Sequence, residues 1–137
     1  PLSHWQLATQ PPAPDVSFHR VAWGPLDRER LYERIERRFH AMMAAGFLEE
    51  VARLFARKDL SPELPALRSV GYRQLWSHLA GNASLEEAVR EGILATRHLA
   101  RRQLIWLRKE PDTEWMESLD SAAPARMKAF MERIFSR

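Results

Sequence analysis

Two stretches of this 137-residue chain carry side chains whose types and spacing suit the holding of phosphate. In RSVGYRQLW, residues 68–76, Arg68 and Arg73 flank Gly71 and Tyr72 where a loop is expected to enter a helix, so free backbone N–H groups would add to two guanidiniums. Gly71 allows close approach of a backbone, and Arg beside Tyr suits a phosphate with a stacked base. Tyr72 could equally be core, and Gly71 could serve helix packing. In ATRHLARRQLIWLRK, residues 95–109, the cations Arg97, Arg101, Arg102, Arg108 and Lys109 occur with no acid among them. The whole chain has 21 Lys plus Arg and 18 Asp plus Glu, so outside residues 92–109 the balance is 16 to 18. The net charge of +3 is one concentrated patch on an otherwise slightly acidic chain, which points to a polyanionic partner.

A helix must position the second stretch. At about 100° per residue, Arg97, Arg101 and Arg108 fall within one sector of about 40°, with Arg102 and Lys109 about 100° further round. Ala95, Leu99, Ala100, Leu104, Trp106 and Leu107 are assigned to the opposite half, giving an apolar back and a basic front. A merely solvated bundle helix is the plain alternative. Such a helix usually mixes signs for i,i+4 pairing, whereas these cations repel one another until a polyanion arrives. Thr96 and Gln103 lie within the apolar arc and need hydrogen-bond partners there.

The rest of the chain reads as the frame for these two stretches. Residues 1–17 read as a loop and Phe18–Trp23 as one short strand, with nothing later of strand character to pair with it. Asp27 is the expected N-cap of a helix with Leu31, Ile35, Phe39 and Met42 on its apolar side, and Gly46 its stop. Leu48, Val51, Leu54 and Phe55 mark a second helix. A loop with Pro62 and Pro65 leads to a third over about residues 69–80, burying Tyr72, Trp76 and Leu79. Ser84 and Glu87 form a capping box that starts the long basic helix, which should run to about Lys109 before Pro111 breaks it. A last amphipathic helix carries Met127, Phe130, Met131 and Ile134. The expected fold class is mainly α, a helical bundle preceded by one short strand. The division is residues 1–26, loop and strand, and 27–137, helical.

Composition excludes several functions. With 45% hydrophobic residues, five Trp and six Phe, the chain can bury a core of one domain. No apolar run is long enough to cross a bilayer and no signal-peptide pattern opens the chain, so a cytoplasmic location and no membrane partner are expected. Without Cys there is no disulfide or thiolate site, and the five His show no metal-ligand spacing. No catalytic, cofactor-binding or metal-binding residues are assigned.

Together the two stretches resemble the C-terminal part of the tRNA dimethylallyltransferase family, also called tRNA isopentenylpyrophosphate transferases. RSVGYRQ followed some twenty residues later by ATRHLARRQLIWLR carries the likeness. PLSHWQ, DRERLYERIERRFHAMMAAGFLEEVARL, LPALRSVGYRQLWSHLAGN and EWMES extend it over roughly residues 1–120 in the family's order.

The resemblance implies transfer of a prenyl group from dimethylallyl diphosphate to the exocyclic amine of the adenosine 3′ of the anticodon, with the base flipped out for reaction. It implies that Arg68, Ser69, Val70, Gly71, Tyr72 and Arg73 contact tRNA, as do Arg101, Arg102, Gln103, Trp106 and Arg108; the charge pattern adds Arg97 and Lys109. Arg101 stands where the family often has Lys, and His98 where Gln is usual. The family's GxxxxGK[ST] P-loop is not matched by any of this chain's five Gly. The diphosphate site, the catalytic residues and Mg²⁺ are therefore expected in an N-terminal half outside this sequence, and the strand at 18–23 in that half's α/β sheet. The chain alone is expected to be inactive and to bind no cofactor, with the tRNA anticodon stem-loop as its partner. Alternatives are a non-enzymatic helical RNA-binding module and a scaffold whose basic face meets an acidic protein.

Overall fold

A computed structural model of the chain describes residues 18–136; the loop expected over residues 1–17 lies outside them. Strand β1 spans Arg20–Gly24, followed by helices α1 (Arg28–Ala44), α2 (Phe47–Phe55), α3 (Tyr72–Leu79) and α4 (Leu85–Leu107), strand β2 (Thr113–Glu117) and helix α5 (Ala123–Phe135).

Local chemistry explains where the helices begin. The Asp27 carboxylate accepts hydrogen bonds from the backbone N–H groups of Glu29 at 2.9 Å and Arg30 at 3.2 Å, capping α1. Gly46, at φ 95°, makes the left-handed corner between α1 and α2. At the start of α4, Glu87 N–H donates to Ser84 Oγ at 3.2 Å and Ser84 N–H donates to Glu87 Oε2 at 2.8 Å, the reciprocal capping box expected from the sequence. These bonds from Ser84 hold the Glu87 carboxyl below its usual range.

The core sits between α1, α2, α3 and α4. Val51 and Leu75 are fully buried at its centre, with Phe39, Phe47, Leu67, Trp76, Ala88 and Ile93 around them. Phe47 is edge-on both to Phe39, at 6.2 Å between centroids, and to Tyr72, at 5.1 Å. Gly92 lets α4 close onto α1: a Cβ there would lie 2.4 Å from Cζ of Phe39.

The strand at the start of the chain differs from expectation. It begins at Arg20 rather than Phe18, and it is paired: β2 runs parallel to it, Arg20 opposite Thr113 and Gly24 opposite Glu117. All four helices α1 to α4 form the crossover between the two strands. A parallel ladder needs a long connection, so the partner of β1 lies far along the chain and leaves no local hairpin signal. Met116 of β2 and Ala123 and Phe130 of α5 are buried where that helix meets β2, and Ala22 of β1 is buried as well.

One carboxylate ties the second strand to the entry of α1. Glu117 accepts from Leu119 N–H at 2.7 Å and from Leu26 N–H at 2.8 Å, and these bonds, helped by Arg30, hold its carboxyl below the ordinary value of 4.5. A depressed carboxylate contributes stability that is present above its unfolded pKa and is lost as pH falls through its folded value. Glu117→Gln is therefore expected to lower the melting temperature at pH 7, with the gap to the parent closing toward about pH 3. Thermal melts across that range check this; a gap of constant size would contradict it.

Candidate nucleic-acid interface

The loop before α3 splits the RSVGYR segment into two free cations and a structural remainder. Arg68 and Arg73 are exposed and form no ion pair among the described residues. Between them, Ser69 Oγ donates to the Ala66 carbonyl and Val70 is half-buried. Gly71 is buried at φ 94°, where a Cβ would lie 3.0 Å from the Phe47 ring, so packing explains the glycine. Its N–H donates to Gln74 Oε1 at 2.8 Å and is thus already satisfied rather than offered to a ligand. Tyr72 packs its half-buried ring on Phe47 and donates its hydroxyl to Glu50, and that bond to a carboxylate, with burial, raises the phenol above its usual pKa. Of the two readings the sequence left open for Gly71 and Tyr72, the packing one describes the contacts seen.

On α4 the division into apolar back and basic front is redrawn. The buried side is set by Ala88, Gly92, Ile93 and Leu104. Leu104, seven residues from Arg97, lies about 20° from it around the helix and not opposite it. Arg97 follows this side inward. Its guanidinium pairs with Glu36 of α1 at 2.6 Å and lies 5.3 Å from the centre of the Tyr32 ring, with the side chain 30% exposed and Nε buried without a hydrogen-bond partner. Glu36 is 61 residues away in sequence, so no local pattern announces the pair. Arg101, Arg102, Arg108 and Lys109 are exposed and have no acidic partner among the described residues.

Leu99 and Trp106, assigned to the apolar back, are exposed, Trp106 at 65%, and Ile105 is exposed with them. Gln103 is also exposed, whereas Thr96 satisfies its hydroxyl within the helix by donating to the Gly92 carbonyl at 2.8 Å. Trp106, Gln103 and Arg102 line an open groove between α4 and the end of β1, whose other wall includes Trp23, Gly24 and Pro25. Trp23 is absent from the residues singled out by sequence. Its signal was its outward position in a five-residue strand, too weak to read without the partner helix.

Among the described residues no group of three His, Cys, Asp or Glu side chains could hold a metal ion, and no helix is long and apolar enough to cross a membrane.

A helical module with an acid-free face of cations and exposed aromatic rings has the chemistry of a surface for a polyanion. The IPP transferase family model matches residues 1–110, and the chain belongs to that family. Two solved structures are similar. The tRNA isopentenylpyrophosphate transferase of Bacillus halodurans superposes with a TM-score of 0.74 at 26% identity, covering 85% of this chain and 38% of that one. The tRNA delta(2)-isopentenylpyrophosphate transferase of Staphylococcus epidermidis gives 0.71 at 27% identity, covering 83% of this chain and 37% of that one. The match falls on the C-terminal part of those proteins, and the chain spans less than two fifths of their length.

Proposed function

We propose that this chain is the tRNA-gripping portion of a tRNA prenyltransferase that modifies the exocyclic amine of the adenosine 3′ of the anticodon, with dimethylallyl diphosphate as donor. The observation that carries the reading is the row of exposed, unpaired cations Arg101, Arg102, Arg108 and Lys109 on a chain of this family. Arg68 and Arg73, at the mouth of α3, would add a second hold on the loop. Phosphate contacts of this kind fix the position of RNA and carry little sequence information.

Prenyl transfer from a diphosphate calls for a phosphate cradle and Mg²⁺ to neutralise the leaving group. The described residues do not form such a site, so this reading assigns that chemistry to the remaining length of the relatives and RNA holding to this chain. By itself the chain is expected to bind RNA without turning over, in the cytoplasm where tRNA is available.

The test separates cations that face solvent from the one that does not. Arg101→Ala is expected to weaken binding to any RNA hairpin and to reduce the slope of log K against log salt by about one unit. Arg97→Ala, whose charge is already matched by Glu36, is expected to lower the melting temperature and leave the slope unchanged. Equal slope changes in the two variants would contradict this division, and an unchanged slope for Arg101→Ala would contradict the proposed grip.

A further inference from the structure

Helix α1 carries a second cationic surface, separate from α4 and from the loop before α3. The buried residue of α1 is Phe39. At about 100° per residue, Arg30, Arg34 and Arg37 fall within about 60° on the side opposite Phe39, with Arg38 about 40° further round. All four are exposed, and none forms an ion pair among the described residues. The charge count hides this stripe because Glu29, Glu33 and Glu36 interleave with it in sequence. In the fold, Glu36 pairs with Arg97, and Glu29 lies about 100° from Arg30 around the helix. Arg30, Arg34 and Arg37 line one hollow of about 230 Å³, bounded by Leu119 beyond β2, with Glu33 as its one acid. Arg30 reaches the Leu119 carbonyl at 3.5 Å, which leaves Arg34 and Arg37 as the cations without an anchor.

From this arrangement we infer that the outer face of α1 is a binding site for the phosphate backbone of an RNA stem, with Arg34 and Arg37 on successive phosphates, Arg38 beside them and Arg30 closing the hollow. The occupant follows from what the face holds and what it lacks. Guanidiniums grip phosphate oxygens two at a time. At 1.5 Å of rise per residue, Arg30 to Arg38 extends about 12 Å, the length of about three phosphates along one strand. The other α1 residue within that arc is Ala41, so the face has neither a ring to stack an unpaired base nor the large apolar anchor of a protein contact. Duplex RNA, held through its phosphates and its shape, asks for neither. The inference rests on the RNA-binding reading above and adds a second contact to it: α1 packs against α4, and packed helix axes lie about 8–10 Å apart, within the reach of one hairpin.

Titration of the full chain across a salt series with a long-stemmed RNA hairpin, and with the hairpin's loop sequence as a single strand, tests this. Arg30 is left in place because it also meets the Leu119 carbonyl. The triple variant Arg34→Ala, Arg37→Ala, Arg38→Ala is expected to bind the hairpin about tenfold more weakly near physiological salt, with the salt slope reduced by about two to three units and no loss of melting temperature. Its binding to the single strand is expected to match the parent's. The same three positions changed to Lys should keep the slope, and Glu33→Gln, which removes the hollow's acid, should tighten hairpin binding about threefold. If the triple Ala variant binds the hairpin as the parent does while Arg101→Ala weakens it, the chain grips RNA through α4 without α1, and the inference fails alone. An equal loss on hairpin and single strand would show general attraction of phosphate and overturn the claim for a stem. If the parent binds no RNA, the wider reading fails with it.

Discussion

Gly92→Ala is expected to destabilise the chain by about 2 kcal/mol, the reverse of what an alanine brings to an ordinary helix interior. Helix propensity alone would favour the substitution by roughly 1 kcal/mol. The added methyl, however, would sit 2.4 Å from Cζ and 2.7 Å from Cε2 of Phe39. The ring has little room to yield. Phe39 is 4% exposed, its ring is edge-on to that of Phe47 at 6.2 Å, and a Cβ at Gly71 would lie 3.7 Å from its Cε2. Relief has to come from moving α1 away from α4, which would also stretch the Arg97–Glu36 pair. At this chain length the expected fall in melting temperature is roughly 5–10 °C. Pairing the substitution with Phe39→Leu should recover part of the loss, giving a coupling of about 1 kcal/mol in a double-mutant cycle. A neutral or stabilising Gly92→Ala would mean that the α1–α4 contact is looser than described.

The second large effect concerns binding. Replacing Arg101, Arg102, Arg108 and Lys109 together by Ala is expected to weaken RNA binding on the order of a hundredfold or more near physiological salt, and to cut the salt slope by about three to four units. All four side chains are exposed and without acidic partners, so the fold has little to lose from their removal. Arg101 and Arg102 sit on α4 and Arg108 and Lys109 just past its end, so removing them relieves repulsion but also takes away cations that favour the helix C-terminus. The quadruple variant should therefore melt close to the parent's temperature while failing to bind, a separation that circular dichroism and an RNA titration measure side by side. A variant that binds as the parent does would remove the cationic face from the account.

How far these outcomes could be read from sequence differs from one element to the next. The helix starts at Asp27 and Ser84 were legible because a cap is a local bargain between a side chain and backbone donors two or three residues away. Strand β2 was not, because TEWME becomes a strand through pairing with residues some ninety positions earlier. The exposed cations of α4 were identified as such, and Arg97 was grouped with them because its partner Glu36 lies on another helix. The wheel also failed on Leu99 and Trp106: being apolar put both inside with Leu104, but the buried arc is set by where α1 and α3 pack and takes only Leu104. In RSVGYR the two arginines were legible as free, whereas the roles of Gly71 and Tyr72 depended on Phe47, which only the folded chain brings beside them.

The central claim is that this chain recognises the anticodon arm of tRNA, and one titration addresses it most directly. Binding is measured across a salt series to an anticodon stem-loop with adenosine 3′ of the anticodon and to a hairpin of equal length with a scrambled loop. The account predicts salt-dependent binding that favours the anticodon loop, with the preference persisting as salt rises and the shared phosphate attraction fades. Equal affinity for the two hairpins at every salt concentration would contradict it, leaving a surface that attracts phosphate without recognising the substrate.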